Sequence, residues 1–307
     1  MKLYIPSVNK IILENFTKKY PKMKLDILKY FMSYSKDLTK WMEESLTNDD
    51  IVLNRPACVD SLILDSGING TDQDVINELR EEYNFSEYLH YLESNQNNFD
   101  FYFNYNISQD NDSENLDKLA IIKDRLYEIN NKENIPVPVI QNIDDIQKYC
   151  VENMFARVAL SPEIIENISP KEFKKSMQKF YDAKIRVHIF RSCQYDILHD
   201  IPVWSSDCHL FSGLTVAHRV CYFDEEERKE YIFATHEKYC GQNIHYLFDN
   251  NNKYAKKYRA WINQYDIDLD DLKHDIQYVA LSNLLYYRWL AEIITTEQKK
   301  QGFTFNW

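Results

Sequence analysis

The chain has 307 residues and a formal net charge of −12 at neutral pH, and hydrophobic residues make up 44% of it. That is enough for a sizeable core in one barrel-sized domain or two ordinary ones. The charge excludes a protein that is basic all over and leaves only local runs to meet a polyanion: Lys18, Lys19, Lys22 and Lys24, and Lys253, Lys256, Lys257 and Arg259.

No stretch of about 18 apolar residues is present, and the opening MKLYIPSVNK lacks the apolar run of a signal peptide. The six cysteines are scattered without a CxxC pair. The expectation is a reduced, cytoplasmic chain with no membrane partner.

Short apolar runs alternate with helical patterns. Leu3 to Ile5 predicts a strand, followed by a helix from Lys10 towards Tyr20. Ser61 to Leu64 predicts a buried strand entering the turn Asp65-Ser66-Gly67, notable because the chain has only 5 glycines. Helices are expected over Asp72 to Glu82 and Ser86 to Ser94, then an aromatic strand Phe99 to Phe103 running into Asn104-Tyr105-Asn106. A helix over Ser113 to Asn130 precedes the strand Val137 to Ile140, and one over Ile143 to Val151 precedes Arg157 to Leu160. The helix Lys171 to Ala183 precedes the strand Ile185 to Phe190, and Ile201 to Trp204 reads as a short strand ending at Ser205-Ser206-Asp207.

Beyond Gly213, Thr215 to Phe223 and Glu230 to Ala234 flank a polar turn as a hairpin. Helices follow over about Asn252 to Gln264 and Leu269 to Lys299. Repeated βα units with continuous apolar strands predict an α/β fold with a parallel sheet buried on both faces. A closed barrel and an open doubly wound sheet both satisfy that pattern.

Functional side chains in parallel α/β folds collect at the carboxyl ends of strands. In order, those ends offer Asp65-Ser66-Gly67, Asn104-Tyr105-Asn106, Ser161, His188 and Asp207. Asp65 and Asp207 directly follow apolar strands, where an isolated charge is costly to bury without a partner or a task.

Three further segments join Leu62-Ile63-Leu64-Asp65-Ser66-Gly67: Ser86-Glu87-Tyr88-Leu89 with Phe99 to Asn104, then Val187-His188-Ile189, then Pro202-Val203-Trp204-Ser205-Ser206-Asp207-Cys208. Taken in that order, from Lys2 to about Leu214, they resemble the tRNA-guanine transglycosylase superfamily. The likeness is nearest to its short phage and bacterial members that act on DNA bases.

The resemblance implies a (β/α)8 TIM-like barrel over about residues 1–214, with a C-terminal β-hairpin and helices over about 215–307, in a single domain. It implies cleavage of the N-glycosidic bond of a base in nucleic acid, with Asp207 as nucleophile and Asp65 as acid/base partner. Ser66 and the Gly67 backbone would lie against a flipped base, with Asn104, Tyr105, Asn106, Ser161 and His188 completing the base pocket and Tyr105 or Trp204 stacking on it.

Departures from the family pattern shape the expected substrate. Asn106 stands where the family has an aspartate, Val158 to Pro162 replace the pocket glycines, and Phe190-Arg191 follow the histidine strand. They point away from 7-deazaguanine to another modified base, with water as acceptor beside base exchange.

The family's Cys-x-Cys-x-x-Cys…His zinc spacing is absent. No cofactor is expected, and a structural zinc from Cys240, His245 and their neighbours is disfavoured. DNA is therefore expected over tRNA as partner, in phage DNA modification or anti-phage defence. The alternatives are a barrel hydrolase or lyase acting on a small molecule and a non-catalytic nucleic-acid-binding relative.

Overall fold

The computed structural model describes residues 1–31, 50–67, 85–105, 112–130, 136–142 and 155–306. The helices expected over Asp72 to Glu82 and Ile143 to Val151, and Asn106, lie outside the described residues.

Eight parallel strands form one sheet: β1 (Lys2–Pro6), β2 (Leu25–Tyr30), β3 (Val59–Asp65), β4 (Phe101–Tyr102), β5 (Val139–Ile140), β6 (Arg157–Leu160), β7 (Arg186–Ile189) and β8 (Ser205–Asp207). Their order, β4-β3-β2-β1-β8-β7-β6-β5, is a chain-order circuit cut once, between β4 and β5. A parallel bridge, Phe103 to Val137, spans that cut. The Asn104 amide donates to the Val137 carbonyl at 2.9 Å, and the Val137 amide to the Tyr102 carbonyl at 2.8 Å. The sheet closes, and the fold is a (β/α)8 barrel.

Side chains alternate between two cores, as period-two strands in a barrel require. Tyr4, Leu28, Ile63, Phe101, Phe103, Val137, Val139, Ala159 and Phe190 fill the inside. Leu3, Ile5, Leu25, Ile27, Leu62, Leu64, Val158, Val187 and Ile189 face the helices.

Within the sheet, two strands differ from the sequence expectation. The strand Leu25–Tyr30 was not foreseen, because Asp26 and Lys29 interrupt its apolar run within a Lys-rich stretch. In the barrel, Asp26 is held by Lys2 at 3.0 Å, and Leu28 enters the inner core. The eighth strand is Ser205–Asp207 rather than Ile201 to Trp204. The lead-in up to Val203 instead gives three carbonyls, of Leu198, Ile201 and Val203, to the buried Gln298 amide at 3.1, 2.9 and 3.2 Å.

After the barrel come β9 (Arg219–Asp224) and β10 (Lys229–Ala234), an antiparallel hairpin, with β11 (Ile244–Tyr246) added parallel to β10. The hairpin starts later than expected because Leu210–Val216 is helical. The long final helix divides into Leu269–His274 and Ile276–Lys300. Asp275 between them is extended and caps the second helix through Gln277 N.

The ring of Phe103 lies 4.8 Å from that of His188 and 4.6 Å from that of Phe190, so it plugs the barrel. Phe103→Ala should cost about 3–5 kcal/mol through lost burial and a cavity. Denaturant unfolding checks this.

Candidate active site at the carboxyl end of the barrel

Asp207 ends β8 and points into the barrel, 1% exposed. Its Oδ1 accepts a hydrogen bond from the Arg191 amide at 2.8 Å and lies 3.4 Å from His188 Nε2. The other imidazole nitrogen, Nδ1, is 2.9 Å from Ser205 Oγ. Ser205, His188 and Asp207 are therefore a chain from the barrel interior to its carboxyl edge. His188 and Ser205 pair in register across β7 and β8, and both point inward, so the strand ladder itself brings them together.

The protonation states follow from the surroundings. Burial pushes the His188 imidazole below its ordinary value, against the pull of Asp207, so the ring is neutral at pH 7. A carboxylate only accepts, so the single N–H belongs on Nε2, facing Asp207; Nδ1 then accepts from the Ser205 hydroxyl. The contact between His188 and Asp207 is a dipole on a charge, not an ion pair. Asp207 Oδ2 is buried and makes no hydrogen bond among the described residues.

Asp65 ends β3 on the same edge, also 1% exposed, with the same inward parity as Ile63. Between β3 and β8 stands Tyr30, paired in register with Asp65. Burial raises the Tyr30 hydroxyl well above its ordinary value, with the charges of Asp207 and Asp65 pushing the same way. Both carboxylates thus bear on one phenol at the carboxyl edge. Arg191, at φ 55°, holds Asp207 through its backbone. His209 feels both groups: burial lowers it, Asp207 raises it and Arg191 lowers it.

Ser66 is fully buried, and Gly67 turns the chain at φ 84°, a conformation that favours glycine. Ser161 is buried at the end of β6, and its hydroxyl has no hydrogen-bond partner among the described residues. Asn104 Nδ2 donates to the Asn115 carbonyl at 2.9 Å, tying the strand end to the helix Asp112–Asn130.

Tyr105 was expected in the pocket but packs in the outer core, 5.5 Å from Phe85 and 5.6 Å from Tyr88 between ring centroids. Trp204 sits before β8, at the opposite end of the barrel. The guanidinium carbons of Arg157 and Arg186 lie 5.4 and 5.5 Å from its ring centroid.

Sequence reasoning missed Tyr30, Arg191, Ser205 and His209. Tyr30 ends the unforeseen strand. Ser205 carried a signal, since residues two apart on one strand share a face and Asp207 was already singled out.

Among the described residues, no group of three or more His, Cys, Asp or Glu side chains is placed to hold a metal ion. Nor is any helix among them long and apolar enough to cross a membrane. The basic run beyond Lys253 is largely internally compensated: Lys253 pairs with Glu227 at 2.7 Å, and Lys257 with Asp224 at 2.7 Å and Glu226 at 2.6 Å. Arg259 donates to the Leu247 carbonyl at 2.8 Å.

No family model matches the chain, and no curated protein matches it. The chain is similar to the crystal structure of a "putative fructose-1,6-biphosphate aldolase" from Coccidioides immitis, at 10% identity and a TM-score of 0.40, over 98% of this chain and 92% of that one. No relative of tRNA-guanine transglycosylases emerges, and the resemblance drawn from the Asp-Ser-Gly signature is withdrawn. Asp65-Ser66-Gly67 is a strand end followed by a left-handed glycine, a turn that other barrels can use equally. Trp204 of the Pro202 to Cys208 segment lies at the opposite end of the barrel from the carboxylates, against Phe101, Arg157 and Arg186.

Because the folded state keeps His188 neutral while the unfolded chain protonates near pH 6.5, its burial costs stability as pH falls below 6.5, until the lower folded-state value is passed. Imidazole nitrogen shifts measured by NMR should show His188 protonating at lower pH than a free imidazole, with the proton of the neutral ring on Nε2.

Proposed function

We propose that this (β/α)8 barrel is a hydrolase or lyase that works by acid–base catalysis on a small polar molecule at the carboxyl edge of its strands. The observation that carries this reading is the chain Ser205–His188–Asp207, which presents one buried carboxylate oxygen, Oδ2, beside a second carboxylate.

Asp207 acts as the proton acceptor. The Arg191 amide donates to Oδ1 and the His188 ring lies 3.4 Å from that same oxygen, leaving Oδ2 to take the proton. Asp65 is the partner acid, returning a proton to the leaving group. Tyr30, kept protonated between them, donates a hydrogen bond to oxygen that gains charge as the reaction proceeds. The aromatic plug of Phe103, His188 and Phe190 keeps water out from beneath, so these groups act in a medium of low polarity.

Two features support a small substrate over a polymer. The plug leaves no depth for a long ligand to thread, and the basic run Lys253 to Arg259 is engaged with acidic and carbonyl partners rather than displayed for phosphates. Recognition of a DNA base rested on the withdrawn family resemblance and goes with it.

The test is mass analysis of reactions with panels of small glycosides, nucleosides, hydroxy acids and sugar phosphates, alongside modified DNA and tRNA. Turnover of a small molecule is expected, falling about 10²–10⁴-fold in Asp207→Asn and in Asp65→Asn. Turnover confined to polymeric nucleic acid, or activity unchanged in both variants, would overturn the reading.

A further inference from the structure

The opposite end of the barrel carries two adjoining cavities of unlike character. One, of about 420 Å³, lies between the starts of β1 and β2 and the helix Ile276–Lys300, and Lys22, Lys24, Arg288 and Lys299 line it. The other, of about 460 Å³, is lined by Trp204, Phe303 and Phe305, with Lys2. Both share Met1, Thr295 and Lys299, so each opens onto the same boundary. Their volumes fall in the range of small-molecule sites.

The charges sort between them. Together the cavities present five cationic side chains against two carboxylates, Asp26 and Glu292. Asp26 is paired with Lys2 at 3.0 Å and Glu292 with Arg288 at 2.6 Å. Lys24 donates to the Ala57 carbonyl at 2.5 Å. Lys22 and Lys299 have no ion-pair partner among the described residues. A net positive groove in a chain of charge −12 is a local excess that solvation of the whole surface does not require.

The second cavity supplies flat apolar surface instead. Trp204 is half-buried with Arg157 and Arg186 packed against its ring. Phe303 and Phe305 are held by edge-on contacts with Tyr181, at 5.4 and 5.5 Å between centroids. Hydrogen bonds between the Tyr181 hydroxyl and the backbone at Thr304 fix this segment, at 3.0 Å to its carbonyl and 2.9 Å from its amide.

A basic lobe joined to an aromatic lobe matches one ligand chemistry: several phosphates linked to a flat heterocycle. We propose that this groove binds a nucleoside polyphosphate, with the phosphates against Lys22, Lys24 and Lys299 and the base against Phe303, Phe305 and Trp204. The site lies at the far end of the strands from Asp65 and Asp207 and does not depend on the reaction assigned to them.

Calorimetric titration of the full chain with ATP, tripolyphosphate and adenosine tests this, at low salt because exposed charge pairs are screened. ATP should bind with a Kd below about 1 mM, with each fragment about tenfold weaker or more. Lys22→Glu with Lys299→Glu should weaken ATP about tenfold or more. Phe305→Ala should weaken ATP and leave tripolyphosphate unchanged, and Asp207→Asn should leave ATP binding intact. If the charge-reversed pair fails to fold, Lys22→Gln with Lys299→Gln replaces it, and should still weaken ATP. No ATP binding, tripolyphosphate binding as tightly as ATP, indifference to the lysine changes, or loss in Asp207→Asn would overturn the proposal.

Discussion

A carboxylate buried inside a barrel stays charged only if fixed donors replace the water it gave up. At Asp207 the hydrogen-bond donor is the Arg191 backbone amide, with the neutral imidazole of His188 3.4 Å from the same oxygen. The amide is available because Arg191 adopts a left-handed conformation just past β7. The imidazole is available because His188 faces inward one position before the end of its strand. Around that carboxylate lie the aromatic packing that excludes water, the hydroxyl of Ser205 on the far imidazole nitrogen, and Oδ2 without a hydrogen bond among the described residues.

The barrel's alternation brings the side chains of this arrangement together. In a parallel barrel each strand sends every second residue inward, and residues in register on neighbouring strands meet there. Ser205 and Asp207 are two apart on β8, and His188 pairs with Ser205 from β7. Asp65 and Tyr30 pair in the same way across β3 and β2. Four strands thus deliver the five groups to one edge through ladder geometry alone.

Much of this was legible in the amino-acid order. The βα rhythm, most strands, and the two acidic strand ends at Asp65 and Asp207 could be read directly, because short continuous apolar runs alternating with helical patterns mark a parallel sheet buried on both faces. Closure could not be read: it rests on the bridge between Phe103, just past β4, and Val137, just before β5, whose pairing no local pattern specifies. The strand Leu25–Tyr30 was hidden because its charges are satisfied by partners distant in sequence, as Lys2 does for Asp26. The family likeness misled for a related reason. A three-residue turn signature records how a strand ends, and many barrels end strands that way.

Gln298 gives its amide hydrogens to the carbonyls of Leu198, Ile201 and Val203, which have no ladder of their own. The segment leading into the strand of Asp207 is therefore anchored by a residue roughly a hundred positions further along. On a ribosome, that lead-in has no such anchor until the last long helix has emerged. The site-bearing strand is one of the later parts of the molecule to gain its full set of partners, although its own residues were made well before.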